Sequence, residues 1–179
     1  MTAITISSGT TTVSTATTSS YLVEDTGILD VGPGGTVSGQ ITISAHGVVN
    51  VNFFGTVLDT VISSGGDEYV NLFGTASDTT IYDGGSQYVV GTATDTTVYS
   101  GGSQYVEFLG TASDTTISNG GYQYVERNGT ATDTTINGGE QDVYGTASGT
   151  TINDTTIDEG EIKTGEQVVE GAMYAATKS

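Results

Sequence analysis

Five aspartates recur at the same place in a repeated motif, where their carboxylates could bind a cation. They begin D-T-T-I, D-T-T-V or D-T-V-I runs and are Asp59, Asp78, Asp95, Asp114 and Asp133. If the repeats stack, neighbouring carboxylates lie about 5 Å apart and repel by roughly 0.8 kcal/mol per pair in a bulk-like dielectric. Either Ca²⁺ or backbone N–H donors at a turn would offset this repulsion. The glycine–aspartate nonapeptide of calcium-binding β-rolls is missing, so we expect turns and no cofactor, with Ca²⁺ as the alternative.

Side chains that could complete a catalytic site with these acids are few and scattered. They are His46, Arg127, Lys163 and Lys178, which fall in different repeats. A β-helix that processes polysaccharides needs paired acids, usually with such a group nearby. An active site should also be a unique break in the repeat, whereas these aspartates occur in every unit. We therefore expect no catalytic residue and no enzymatic activity.

The aspartates belong to a unit that recurs about every 19 residues, which is the signature of stacked repeats that share one core. The unit reads G-T-A-x-D-T-T-[IV]-x-x-G-G-x-Q-Y-V. Copies begin at Gly74, Gly91, Gly110 and Gly129, with a looser copy at Gly55. The D-T-T-I and Q-Y-V runs have strand composition, and the Gly-Gly pair between them suits a tight corner. A second corner is expected at the Gly-Thr-Ala that begins each unit.

These features predict an all-β fold, a single-stranded parallel β-solenoid of about 7–8 coils in which like residues stack at about 4.8 Å. Side chains alternate in direction along a strand, so the two most aliphatic columns should face inward. The inward columns are Ile62, Ile81, Val98, Ile117 and Ile136, and Val70, Val89, Val106, Val125 and Val143. The aspartates then lie outside or at a corner.

Two further columns should face outward. The first is Tyr69, Tyr88, Tyr105 and Tyr124, and the second is Thr80, Thr97, Thr116 and Thr135. The tyrosines form either an interaction face for sugars or proteins or a stacking ladder that stabilises the coil. The threonines would suit an ice-binding surface only if a second Thr column lay beside them. The next outward position holds Ser, Tyr or Asn, so ice binding is a minor alternative.

Composition restricts the partners. The chain has 179 residues, 21 Asp and Glu against 3 Lys and Arg, and a formal net charge of −18. Nucleic acid and anionic membrane surfaces both require positive charge, so neither is an expected partner. No run is long and apolar enough to insert in a membrane. Residues 1–14 lack the basic and apolar regions of a secretory signal peptide, so none is visible in this chain.

The chain divides into three parts on this pattern. Residues 1–34 do not match the repeat and are expected to form an irregular N-terminal cap, because an open solenoid end needs an atypical unit. Residues 35–170 form the repeat array, with a degenerate coil at 35–54 and a longer last unit from 145. Residues 171–179 are a tail or an edge strand.

The repeated motif, taken over Gly55–Val143 and more loosely to Glu170, resembles the repeats of AIDA-type autotransporter adhesins. The resemblance implies a right-handed β-helix passenger at the bacterial surface that works in adhesion, self-association and biofilm formation. It also implies heptose on repeat Ser and Thr in some members. The candidate O-glycosylation sites here are Ser64, Ser100, Thr80, Thr97 and Thr116. The chain shows neither the family's signal peptide nor its membrane barrel, and is expected to be an excerpt or a secreted relative.

The sequence thus predicts a non-catalytic, extracellular or cell-surface, adhesin-like module. Its expected partners are itself, side by side or end to end, or cell-surface glycans and proteins. Lateral association is expected to run through the tyrosine column and to strengthen with salt, because the rods carry like charge. The alternative function is a self-assembling filament or matrix protein whose solenoid ends or edges pair.

Overall fold

A computed structural model of the protein describes residues 3–153 as about eight turns of parallel β-solenoid. The strands are β1 (Ile4–Val13), β2 (Ala16–Thr17), β3 (Tyr21–Val31), β4 (Thr36–Val37), β5 (Ile41–Ile43), β6 (Val48–Val51), β7 (Thr56–Ile62), β8 (Asp67–Val70), β9 (Thr75–Ile81), β10 (Ser86–Val89), β11 (Thr92–Thr94), β12 (Thr97–Val98), β13 (Ser103–Val106), β14 (Thr111–Ser113), β15 (Thr116–Ser118), β16 (Tyr122–Val125), β17 (Thr130–Thr132), β18 (Thr135–Asn137), β19 (Glu140–Val143), β20 (Thr146–Ser148) and β21 (Thr151–Ile152). No helix within these residues is long and apolar enough to cross a membrane.

Every turn of the regular array contains three strand segments. We name them by sequence: the T-A-S strand, the T-T-I strand and the Q-Y-V strand, for example β14, β15 and β16. In β7 and β9 the first two segments are continuous in one strand, bent at the aspartate. Like strands pair in parallel and in register from turn to turn, as in Gln87↔Gln104 and Tyr88↔Tyr105. The predicted parallel solenoid is therefore confirmed.

The T-A-S strand differs from the sequence prediction, which placed a corner there. The corner ends at the glycine before it, because Gly74 N–H donates to Asn71 O at 2.7 Å. The next residues, Thr75 to Ser77, are extended and pair with Thr92 to Thr94. The central Ala76 is completely buried. A small inward alanine between hydroxyl residues carries little apolar signal, which is why this strand was missed.

The core is a set of inward columns, as alternation predicted. Ile62, Ile81, Val98 and Ile117 are completely buried, as are Val70, Val89, Val106 and Val125. Ile136 is also buried, and Val143 in the last described full turn is half-buried. Burying such a stripe stabilises the rod by about 25 cal/mol per Å² of apolar surface removed from water.

The segment 1–34, expected as an irregular cap, includes β1 to β3. β1 pairs in parallel with β3 from Ile4↔Tyr21 to Val13↔Val31, with a register shift between Ile6 and Ser8. Its buried side chains, Val23 and Leu29 among them, continue the inward columns even though the repeat motif is absent. The described part of the array ends at residue 153, and the predicted tail at 171–179 lies outside the described residues.

The assignment of inward and outward positions predicts unequal effects for two adjacent substitutions. Val106→Asp places an unpaired carboxylate in the core, which costs several kcal/mol of unfolding free energy. Glu107→Lys changes a half-buried, outward-facing charge and should alter stability by less than about 1 kcal/mol. Thermal melts followed by circular dichroism measure both. Equal losses in the two variants would contradict the assignment.

Candidate functional site

The repeated aspartates form the corner between the T-A-S and T-T-I strands. All five are exposed, and their φ angles run from 54° to 61°. Asp tolerates this left-handed region better than most residues, so the backbone bend accounts for the residue type. The corners also stack, since Asp95 N–H donates to Ser113 O and Asp114 N–H to Thr132 O, both at 3.1 Å.

The carboxylates themselves make few contacts. Gln40 Nε2 donates to Asp59 Oδ1 at 3.3 Å, and Ser77 Oγ donates to Asp78 Oδ2 at 3.4 Å. Within residues 3–153 no group of three or more His, Cys, Asp or Glu side chains is placed to hold a metal ion. All five residues are exposed at the corner, so access to solvent weakens the repulsion between the carboxylates. The expectation that no cation is required stays a prediction.

The predicted tyrosine column is present as a stack of half-buried rings. Tyr69 and Tyr88 lie 4.8 Å apart between centroids at 9°, and Tyr88 and Tyr105 lie 5.1 Å apart at 10°. Tyr124 is less regular, at 6.5 Å and 53° from Tyr105. Burial, chiefly, raises the pKa of the Tyr69 and Tyr88 hydroxyls. The rings form a stacking ladder and remain half-exposed on the outside of the rod.

The predicted glycosylation candidates fall into two groups. Ser64 and Ser100 are exposed at the Gly-Gly corner, Ser64 with a φ of 51°. Thr80, Thr97 and Thr116 are half-buried and stack in register on the T-T-I strand. The corner serines are therefore easier for a large enzyme to reach than the threonines.

Two hydroxyl columns were missed because the T-A-S strand was missed. Its outward residues are Thr75, Thr92, Thr111, Thr130 and Thr146 in one column, and Ser77, Thr94, Ser113, Thr132 and Ser148 in the other. The alternation of hydroxyl, alanine and hydroxyl could have revealed them. The argument against ice binding concerned the T-T-I strand, where Tyr82 and Tyr99 occupy the place of a second Thr column, and it does not extend to these two columns. The columns are half-buried over much of their length and reach an apolar residue at Leu58.

Six exposed apolar side chains lie at another place, the corner after the Q-Y-V strand. We call them the corner ridge: Phe53, Phe54, Leu72, Phe73, Phe108 and Leu109. Phe54, Phe73 and Leu109 leave 60%, 55% and 57% of their surface exposed, at φ angles of 58°, 61° and 68°. Left-handed φ is strained for such bulky residues. Asn128, which suits the conformation, stands at the same place one turn later.

Two described turns of the regular array lack this corner, at Val90–Gly91 and at Tyr144–Gly145. At the first, Val90 and Gly91 alone connect the buried Val89 to Thr92, where the ridge corners use four residues, and both N–H groups donate to Val70 O at 2.8 Å. The strands on either side remain in register. The shortening therefore leaves a notch in the ridge, with Val90 at its floor, Phe73 on one side and Leu109 on the other.

A ladder of buried amides runs along the inside of the rod. Gln141 Nε2 donates to Gln123 Oε1 and Gln123 Nε2 to Gln104 Oε1, both at 2.6 Å. Gln104 Nε2 donates to Gln87 Oε1 at 2.8 Å, and Gln87 Nε2 to Glu68 Oε2 at 2.7 Å. Buried threonines of the T-T-I strand join it, as when Thr115 Oγ1 donates to Gln104 Oε1 at 3.2 Å. The parity rule that placed Val89 inside also places Gln87 inside, so this column could have been found.

The ladder ends at Glu68, whose carboxyl is completely buried. In the preceding turn its column is apolar, because Glu68 pairs with Val49. Glu68 Oε1 and Thr60 Oγ1 are buried, and neither atom has a hydrogen-bond partner of ordinary geometry. The Thr60 hydroxyl nevertheless lies close enough to Glu68 to stabilise the charged form of the carboxyl group. Burial, the largest effect, raises the pKa of Glu68 above its ordinary value of 4.5, and the hydrogen bonds from Gln87 and Thr79 oppose this rise.

Comparisons with known proteins agree on the type of repeat. A family model described as "Adhesin of bacterial autotransporter system, probable stalk" matches residues 109–156. A solved structure described as "Crystal structure of TibC-catalyzed hyper-glycosylated TibA55-350 fragment" is similar with a TM-score of 0.67 and 32% identity. The match covers 83% of this chain and 60% of that fragment. A comparison with curated protein sequences found no match.

Glu68 predicts a specific dependence of stability on pH. A raised folded-state pKa means that this group's contribution is fully present below about pH 4.5 and is lost as pH rises through the raised pKa. Glu68→Gln removes this titrating group. The melting temperature of the variant should therefore fall less than that of the parent as pH rises through the raised pKa of Glu68. Melts across pH measure the difference, with Glu107→Gln as an outward-facing acid control. If Glu68→Gln and the parent lose stability in parallel, the buried carboxyl is not what titrates.

Proposed function

Because the chain is built from AIDA-type autotransporter passenger repeats, we propose that it is an extracellular adhesin-like rod that holds cells together by contacts with other copies and with surface glycans or proteins. The in-register repetition of outward tyrosines and threonines is the observation that carries this proposal. A rod that presents the same group at each turn adds many weak contacts into one strong attachment. Its role is structural, in accordance with the adhesin relatives.

The tyrosine column supports contact with glycans. Stacked rings at 4.8 Å and 5.1 Å present a continuous aromatic edge along the rod. Aromatic edges and faces are common contacts for sugars and proteins, because they offer apolar area with little loss of conformational entropy. The acidic charge of the chain, −18, favours neutral or basic partners over anionic ones.

Attachment through this column is testable with beads coated with the full chain. We expect coated beads to clump and to adhere to cells, and to clump more at high salt because salt screens the repulsion between rods. Replacing Tyr69, Tyr88, Tyr105 and Tyr124 with Ser should reduce adherence to cells. The matched control replaces Thr80, Thr97, Thr116 and Thr135 with Ser and should adhere normally. Parent beads that neither clump nor adhere would overturn the proposed function.

Glycosylation of outward hydroxyls is the second part of the proposal. The glycosylated fragment that this chain resembles supports it, together with the exposed Ser64 and Ser100 and the two hydroxyl columns of the T-A-S strand. Those columns could also serve an ice-binding surface, but the similarity to a glycosylated fragment favours glycosylation. Sugars would cover the half-buried threonines and add polar surface to the rod.

Native protein should therefore be heavier than its sequence mass by whole numbers of hexose or heptose units. Peptide mapping should place sugars at Ser64 and Ser100 before the half-buried Thr80, Thr97 and Thr116, because the corner serines are more accessible. Protein made in a host without the glycosyltransferase is the unmodified control. Native material with the bare mass at every one of these residues would exclude this part of the proposal.

A further inference from the structure

The corner ridge combines exposed apolar side chains with a strained backbone, although Phe53, Phe54 and Phe73 also contact one another, with ring centroids 4.4–5.7 Å apart. Its side chains are apolar and more than two-fifths exposed, and Phe54, Phe73 and Leu109 hold left-handed φ angles. Asn or Gly would relieve both the exposure and the strain, as Asn128 does at the next such corner. Bulky residues kept in a strained, exposed position are typical of a surface that contacts a partner.

The ridge and its notch have complementary shapes. Consecutive turns lie about 4.8 Å apart, so the notch at Val90 is bounded by corners about 10 Å apart, close to the thickness of an inserted side-chain layer. The pair Phe108–Leu109 protrudes from the turn directly after the notch. A protrusion beside a recess of the same width is self-complementary under a two-fold axis.

We propose that two copies of this chain pair antiparallel along the corner ridge, with Phe108 and Leu109 of each copy inserted into the Val90 notch of the other. This inference rests on the self-association part of the proposed function and names its contact surface. The contact is isologous, so it closes after two copies and leaves the tyrosine columns available for other partners.

The antiparallel register also matches the other corners of the ridge. When each Leu109 occupies the opposite notch, Arg127 of one copy lies across from Phe73 of the second copy. Arg127 is exposed and is the single Lys or Arg within residues 3–153, and a guanidinium binds favourably over an aromatic ring. In the same register, Phe53 and Phe54 of one copy lie opposite the second shortened corner, Tyr144–Gly145, of the other copy. A parallel arrangement would instead oppose protrusion to protrusion.

Area and charge indicate a weak, reversible pair. Six aromatic or leucine side chains, each about half exposed, offer roughly 600 Å² of apolar surface per copy. This is somewhat below the ~800 Å² per partner of a standard stable interface. Each copy also carries a net charge of −18, so the pair should be weak at low salt and tighten as salt screens the repulsion.

The test is sedimentation of the full chain at low and high salt with two ridge variants. The first replaces Val90-Gly91 with Glu-Arg-Asn-Gly, the corner that the chain uses at 126–129, and so fills the notch without removing an apolar ridge residue. The second combines Phe108→Ser with Leu109→Asn. Both should weaken dimerisation at least ten-fold, while Leu109→Asn should keep or raise the melting temperature. Tyr82→Ser with Tyr99→Ser, an exposed stacked pair at the Gly-Gly corner, is the control that should still dimerise.

Cross-linking determines the orientation, since the chain has no cysteine. Mixing Val90→Cys protein with Leu109→Cys protein should give mixed disulfide dimers, as should Phe73→Cys with Arg127→Cys. Efficient Phe73→Cys homodimers would instead indicate a parallel pair and overturn the proposed register, because the two Phe73 residues lie about three turns apart in the antiparallel pair. Mixed dimers that form equally well after the notch is filled would also overturn it.

The outcomes separate this inference from the proposed function. A parent that dimerises with salt, together with ridge variants that dimerise equally well, overturns the ridge contact and leaves self-association standing. Loss of dimerisation only in the four-tyrosine variant would place the contact on the tyrosine column. A parent that is monomeric at every salt concentration overturns the pairing, while adherence to cells, measured separately on beads, decides the wider function.

Discussion

In-register parallel pairing is the constraint on which the rest of this structure depends. It places every residue about 4.8 Å from its equivalent in the turns before and after, as Tyr88 is placed between Tyr69 and Tyr105. A residue type can therefore occupy a column only if copies of it tolerate one another at that distance. Aliphatic side chains do so inside the rod, tyrosine rings do so by stacking, and aspartates do so only at an exposed corner where water solvates each carboxylate.

The amide ladder shows how a polar column satisfies the same constraint within the core. A glutamine both donates and accepts, so each Gln in the column accepts from the next turn and donates to the previous one. A carboxyl group without its proton can only accept. Glutamate therefore fits the column at one place, the N-terminal end, where Gln87 donates to Glu68 and the preceding residue is Val49. The switch from Val49 to Glu68 marks where the core changes from aliphatic to mixed.

Most of the fold could be predicted from the spacing of a few side chains. The features that could not be predicted have identifiable physical reasons. The inward columns through Ile81 and Val89 were predictable because they are aliphatic and alternate with polar residues. Gln87 obeys the same alternation, but its polarity conceals a buried position, and Ala76 is too small to mark a strand. The left-handed Phe54 and Leu109 could not be predicted, because Gly or Asn is the ordinary residue for that conformation.

The faces and the corners of this rod differ in how freely they can change. A new side chain on a face must fit against the turns on both sides, so a substitution there changes packing contacts with two neighbouring residues. Removal of two residues between Val89 and Thr92 leaves both flanking strands in register, which means that the corner absorbs the change by itself. Strain at Phe54 or Leu109 is likewise confined to one bend of the backbone. Corners are thus where a solenoid can acquire specific contacts without loss of its core, and the ridge and notch lie where that freedom is greatest.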